Sequence, residues 1–211
     1  SLRRLKTDYI DLYQFHLWGF PAEKGAPIRD TLETLVSEGK IRGYGWSTDL
    51  LESVEVFAEG PNCIAVQQQL NVFEGNPTGN TDGILALCEK RNLASINRAP
   101  LAMGILTGKF TPNTQFSPDD VRSQATWFGG FQNGKLNPDW LKKIEAVREV
   151  LTSQGRTLAQ GALAWLWGRS EKTIPIPGFK TLKQADENAR ALEFGPLTAE
   201  QMREIDVILQ R

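Results

Sequence analysis

Asp8-Tyr-Ile-Asp-Leu-Tyr-Gln-Phe-His16 is the stretch on which the reading of this chain turns. From Tyr9 to Phe15 it is dense in aromatic and β-branched residues, which reads as a strand. It ends on the single histidine of the 211-residue chain. In parallel α/β folds, side chains at the carboxyl ends of strands leave the packed sheet and face the loops where chemistry is placed. Histidine is also the side chain whose ordinary pKa lies near neutrality. A histidine satisfied by a backbone carbonyl is the competing reading, so the surroundings of His16 have to decide.

Outward from that strand, short apolar runs alternate with longer helical patterns, the signature of βα units around a parallel sheet. Further strands are expected at Ile41 to Trp46, Ile64 to Val66, Leu93 to Ile96 and Thr173 to Ile176. Ile28, Leu32, Leu35 and Val36 share a helical face that stops at Gly39. Leu50 to Ala58, Thr81 to Lys90, Asp139 to Ser153 and Thr157 to Trp167 read as further helices. Thr157 with Gln160, Thr181 with Gln184, and Thr198 with Gln201 stand at capping-box spacing. Residues Thr107 to Asn137 carry glycine, proline, asparagine and aromatics without periodicity, and a loop of that length is more often functional than idle.

Five strand–helix units are visible, whereas a closed (β/α)8 barrel needs eight and typically about 250 residues. The expected architecture is α/β. It is either an open doubly wound sheet or the C-terminal part of a TIM barrel, about five βα units plus a last helix. No linker or repeat interrupts residues 1–211, so one domain is expected. The helix-like opening Ser-Leu-Arg-Arg-Leu-Lys reads as an entry in mid-element, as if something preceded it.

Lys plus Arg number 24 and Asp plus Glu 25, for a formal charge of −1. That balance argues against nucleic acid or a membrane surface recognised by bulk charge. No run approaches the roughly 18 apolar residues of a membrane span, and no signal peptide opens the chain. Cys63 and Cys88 lie in apolar segments without metal-ligand spacing. They read as small buried hydrophobes of a reducing, cytoplasmic compartment.

Each strand is followed at once by a polar or backbone-active group. His16 ends the first and Ser47-Thr48-Asp49 follows the second. Gln67-Gln68-Gln69 ends the third, Arg98 to Gly104 follows the fourth, and Pro177 to Thr181 follows the fifth. The carboxyl ends of parallel strands converge on one mouth, so together these groups describe one site. Singly each has a bland reading: Ser47 as a helix cap, and the glutamines as turn residues.

On these pieces the chain resembles the C-terminal two-thirds of an aldo-keto reductase. The resemblance runs through Asp8 to His16, Gly43-Tyr-Gly-Trp-Ser47, Gln67-Gln-Gln-Leu-Asn71, Arg98-Ala-Pro-Leu-Ala-Met-Gly-Ile-Leu-Thr-Gly108, and Ile176-Pro-Gly-Phe-Lys180 to Asn188. It implies a (β/α)8 barrel that binds NADP (NADPH) and reduces aldehydes or ketones by hydride transfer, with a small-molecule carbonyl substrate. By the resemblance His16 orients and polarises the carbonyl, where a donor stabilises developing negative charge. Ser47 and Gln67 match the groups that hold the nicotinamide carboxamide. Arg98 stands where relatives often place a ring that stacks on the nicotinamide; its own alternative is a salt-bridged loop arginine. Leu101, Gly104 and Leu106 match the loop over the pyrophosphate. Lys180, just after Gly178 and before a helix N-terminus, suits the adenosine 2′-phosphate, with a solvated surface lysine as the alternative. Gln184 stands where an arginine is common, which weakens the expected choice of NADP over NAD. Glu187 and Asn188 match adenine contacts, or are plain helix-surface residues.

The resemblance also implies a catalytic tetrad of which this sequence carries the histidine alone. The aspartate, the tyrosine acid and the lysine belong to strands before the one ending at His16. Tyr9, Tyr13 and Tyr44 sit in strand patterns and do not match the acid. A truncated chain with weak or no reductase activity is therefore expected, prone to self-association through exposed barrel edges. The alternative is a catalytically silent nucleotide-binding or scaffold subunit. The aromatic loop Trp127-Phe128-Gly-Gly-Phe131 could wall a substrate pocket or pack beneath the long loop.

Overall fold

The computed structural model describes residues 1–17, 19–73, 80–124 and 128–211. These divide into two compact units. The first comprises the described residues of 1–70, 74–98 and 172–174, and the second those of 71–73, 99–171 and 175–211. The described strands are β1 (Ile10–Phe15), β2 (Ile41–Ser47), β3 (Cys63–Gln69), β4 (Ala94–Arg98), β5 (Phe131–Gln132), β6 (Lys135–Leu136) and β7 (Thr173–Pro175). The α-helices are α1 (Leu2–Leu5), α2 (Gly25–Ser37), α3 (Leu51–Ala58), α4 (Asn80–Arg91), α5 (Val121–Gln124), α6 (Pro138–Thr152), α7 (Leu158–Arg169), α8 (Leu182–Arg190) and α9 (Ala199–Ile208). The five expected strands and the expected helices are present, with ends shifted by at most three residues.

In the first unit a five-stranded sheet runs in the order β1-β2-β3-β4-β7, and β1 through β4 pair in parallel. Helices α2, α3 and α4 follow β1, β2 and β3 in turn, as parallel neighbours require a crossover. Gly39, at φ 70°, closes α2 in the left-handed region as its sequence position suggested.

Trp46 sits at the centre of the helix-facing core, with ring centroids 5.0 Å from Phe15 and 4.6 Å from Phe57. Tyr44, Val66, Ile84 and Cys88 complete that layer. Since strand side chains alternate, Gly45, Ser47 and Gln67 turn to the opposite face. Gly45 is required there, because a Cβ would lie 2.1 Å from the Ala65 carbonyl oxygen. Cys63 and Cys88 are free and buried, and burial pushes each thiol up to about 12. Both are inert structural thiols, as their sequence context suggested.

Tyr44 donates its hydroxyl to Glu33 Oε1 at 2.5 Å, and Asn62 donates to the same carboxylate through its backbone N–H at 3.1 Å and its Nδ2 at 2.6 Å. Burial pushes the Glu33 carboxyl upward, but these donors and the nearby Arg29 win and hold it below its usual range. Its folded pKa is therefore the lower one. The stabilisation is present above the unfolded value and is lost as pH falls through the folded value. Tyr44→Phe removes one donor from a part-buried carboxylate and is expected to cost about 2 kcal/mol. Urea unfolding at pH 7 and pH 4 checks both points: wild type should weaken on acidification, and the variant should weaken less.

The second unit begins its helices on well-formed caps. Asn137 accepts from Asp139 N with Pro138 in the first turn. Thr157 with Gln160 and Thr198 with Gln201 form reciprocal capping boxes. Thr181 caps α8 by accepting from Gln184 N at 3.2 Å. Helices α6 and α7 meet at Gly161, where a Cβ would stand 2.0 Å from the Leu151 carbonyl oxygen.

The segment expected as one long loop, Thr107 to Asn137, contains helix α5 and the antiparallel pair β5–β6. Asn133 and Gly134 turn that hairpin with φ of 50° and 69°, the backbone of a two-residue type I′ turn. Its aromatics pack inward. Phe128 and Phe131 are 1% and 4% exposed, and Phe128 lies 5.1 Å from Trp140, centroid to centroid. For these two rings the packing alternative holds; Trp127 lies outside the described residues.

Candidate functional site

In the first unit, strand register gathers the expected nicotinamide-side groups. Phe15 pairs with Trp46 and Trp46 with Val66, so the next positions, His16, Ser47 and Gln67, fall level at the sheet's carboxyl edge. His16 is exposed and Ser47 is buried. Arg98 ends β4 and donates to Asp49 and Gln69 in a part-buried cluster. Asp49 also accepts from the Gln69 backbone N–H at 2.7 Å. This is the salt-bridged arginine that its sequence left as the alternative. Its cost of burial is met by a carboxylate.

The second unit holds an open cavity of about 1000 Å³. Leu101, Gly104, Gly178, Lys180, Gln184, Glu187 and Asn188 all line it, so seven residues expected to bind cofactor come together. Four expected residues do not line it: Ser47, Gln67 and Arg98 belong to the first unit, and Leu106 is fully buried in the core. A leucine among glycines in the sequence could not declare which way it faced. Gln184 is partly committed, since its Oε1 accepts from the Lys180 backbone N–H at 2.7 Å.

Several features of this cavity suit a polar ligand that approaches the backbone closely. The turn that forms one wall is strained, with Ala99, Ala102 and Met103 at φ of 51°, 48° and 55°. Left-handed backbone at such residues costs roughly 1–2 kcal/mol each, and structures keep it mostly at ligand clamps. Gly104 takes φ of 95°, a backbone that L side chains rarely adopt, and no atom lies within 4 Å of the Gly178 Cβ position. The Asn188 amide nitrogen is buried with no hydrogen-bond partner, a donor that a ligand acceptor would satisfy.

Three cavity cations, Lys109, Arg122 and Lys183, escape the sequence reading. Lys109 and Arg122 line the wall with Lys180. Burial, and then the proximity of Arg122 and Lys180, depress the Lys109 ammonium below its usual pKa. Asp120, paired with Arg122, offsets part of this crowding, and a bound anion would relieve the rest. Lys109 directly follows Gly108 at the end of the glycine-bearing loop, and Arg122 lies in the segment without periodicity.

The sequence profile of the Aldo/keto reductase family matches residues 1–210. The chain belongs to the aldo-keto reductase family. It is 32% identical to an NADP(+) aldo-keto reductase of Schizosaccharomyces pombe over 97% of its own length and 59% of that protein. It is 27% identical to an NADH-specific methylglyoxal reductase of Escherichia coli over 100% of its length and 63% of that protein. The glycerol dehydrogenase structure from Gluconobacter oxydans superposes with a TM-score of 0.83 at 28% identity, over all of this chain and 61% of that one. The chain thus spans about 60% of the length of these relatives, which accords with five βα units of an eight-unit barrel. No helix among the described residues is long and apolar enough to cross a membrane.

Proposed function

We propose that the cavity of the second unit binds NADP(H), and that the chain is the cofactor-holding part of an oxidoreductase that reduces aldehydes or ketones. The observation that carries this reading is the crowding of Lys109, Arg122 and Lys180 around one cavity beside a strained turn. When bound, a nicotinamide dinucleotide supplies the hydride.

The chain's own residues supply the rest. Lys109 and Arg122 neutralise the pyrophosphate, and the Leu101–Gly104 turn lets backbone approach it closely. Lys180, exposed beside the N-terminus of α8, takes the 2′-phosphate, and Asn188 offers its unpartnered amide to the adenine edge. Ser47 and Gln67, in the first unit, offer a hydroxyl and an amide of the kind a carboxamide needs, and Arg98 holds the neighbouring strand ends in place through Asp49. His16, exposed and level with Ser47, donates to the substrate carbonyl.

None of the three tyrosines is offered as the proton donor: Tyr44 is committed to Glu33, Tyr9 lies under Arg42 at 4.3 Å, and Tyr13 packs on the core. A polypeptide of these residues alone is therefore proposed to bind cofactor with little turnover. The buried free thiols support a cytoplasmic setting, and edge strands β1 and β7 support self-association.

Fluorescence titration tests the reading. NADPH should bind, and Lys180→Met should weaken NADPH by about tenfold while leaving NADH unchanged. Equal losses for both cofactors would remove Lys180 from the 2′-phosphate, and no NADPH binding would remove the site. Gly178→Ala should leave the melting temperature unchanged, because nothing lies within 4 Å of its Cβ position. Weaker NADPH binding by that stable variant would support close approach of the ligand to the Gly178 backbone. Turnover abolished by His16→Ala would overturn the proposal of an inactive fragment.

A further inference from the structure

We propose that Phe110 and Phe116 bracket Arg122 and position it for the pyrophosphate of the dinucleotide; the inference rests on the cavity being a dinucleotide site. The Arg122 guanidinium carbon lies 5.2 Å from the Phe110 ring centroid and 4.6 Å from that of Phe116. The two rings stand edge to face, 5.2 Å apart at 85°. Neither ring lines the cavity, whereas Arg122 does. Both are positioning residues that act through the arginine.

Three constraints fix this side chain. The rings hold it laterally by cation–π attraction. Asp120 accepts from Nε at 2.8 Å and from Nη2, and its Oδ1 also accepts from the Arg122 backbone N–H at 3.0 Å. Nη1 is left with no partner among the described residues. A free arginine has rotamer entropy to lose on meeting a phosphate, so a guanidinium already held in place binds with less loss.

The bracket is tied to the core. Phe116 packs against Phe131 at 5.2 Å, Phe131 against Phe128 at 5.9 Å, and Phe128 against Trp140 at 5.1 Å. This continuous aromatic chain explains why a segment without periodicity is rich in phenylalanine. It transmits the rigidity of the packed core to one cavity cation.

A double-mutant cycle read by NADPH fluorescence tests the bracket. Phe116→Leu should weaken NADPH about fivefold, and Phe116→Tyr should retain wild-type affinity. Arg122→Met should weaken binding at least as much, and adding Phe116→Leu to Arg122→Met should change nothing further. The same factor of loss in both backgrounds would make Phe116 a packing residue and overturn the proposal, as would wild-type affinity in Phe116→Leu. Phe110→Leu, whose ring meets Phe116, Lys109 and Arg122, runs the same cycle if Phe116→Leu does not fold. Wild-type protein that fails to bind NADPH would remove the dinucleotide reading and this inference with it. Binding that is intact but insensitive to both rings would remove the bracket alone.

Discussion

Gly161→Ala is expected to lower the stability of the second unit by about 3 kcal/mol, the upper part of the range for overpacked interiors. One effect favours alanine at this fourth position of α7: helix propensity, which already contains the smaller entropy of the unfolded alanine chain, contributes about 1 kcal/mol. Opposing it is a methyl group 2.0 Å from the Leu151 carbonyl oxygen and 2.6 Å from its carbon. Both atoms are backbone, so no side chain can swing aside and α7 must move off α6.

That movement reaches the site. Ala159, two residues earlier on α7, lines the cavity, and Leu158 packs 3.2 Å from the Cβ position of Gly108. Urea unfolding should show the loss of stability, and NADPH affinity should fall with it. An alanine variant as stable as wild type would mean that the two helices do not meet as closely as described.

The parallel sheet was legible because its signals are local and redundant. Apolar runs, caps such as Thr157–Gln160, and the stop at Gly39 each mark an element without help from the rest of the chain. Groups following the strands were legible for the same reason: strand ends face loops. What escaped was information carried by direction and distance. Leu106 stands beside glycines that face the cavity, yet it points into the core, and no periodicity in so short a turn reports which way it points. Asn133-Gly134 was a readable hairpin signal, but the strands on either side are only two residues long, too short for alternation to show. Arg98 and Asp49 are far apart in sequence and meet only because β2 and β4 end together. Lys109 and Arg122 are joined to Lys180 by tertiary proximity alone, so a near-neutral chain conceals this cluster of cations.

Charge reversal at Lys109 is expected to have the largest effect on binding. Two unit charges about 4 Å apart near a protein surface interact by about 4 kcal/mol before salt screening. Lys109→Glu replaces an attraction to phosphate by a repulsion, so NADPH affinity should fall at least about a hundredfold in low salt. Lys109→Met, which only removes the attraction, should cost about tenfold, and added salt should narrow the gap between the two variants.

The ammonium also gives binding a defined pH dependence. Burial, Arg122 and Lys180 hold its pKa below 10.5 in the ligand-free protein, and a bound phosphate raises it again, so binding takes up a proton in that alkaline range. Affinity must therefore decline as pH rises through the depressed Lys109 value, and Lys109→Met should abolish that decline while leaving the neutral-pH plateau at its own lower level. Stability of the free protein should move the opposite way. The unfolded chain holds the proton more tightly, so stability rises with pH across the same window. Titrations of NADPH from pH 7.5 to 10.5 separate the cases. A decline that persists in Lys109→Met would assign the titration to another group, and a flat wild-type profile would mean that Lys109 does not meet the phosphates.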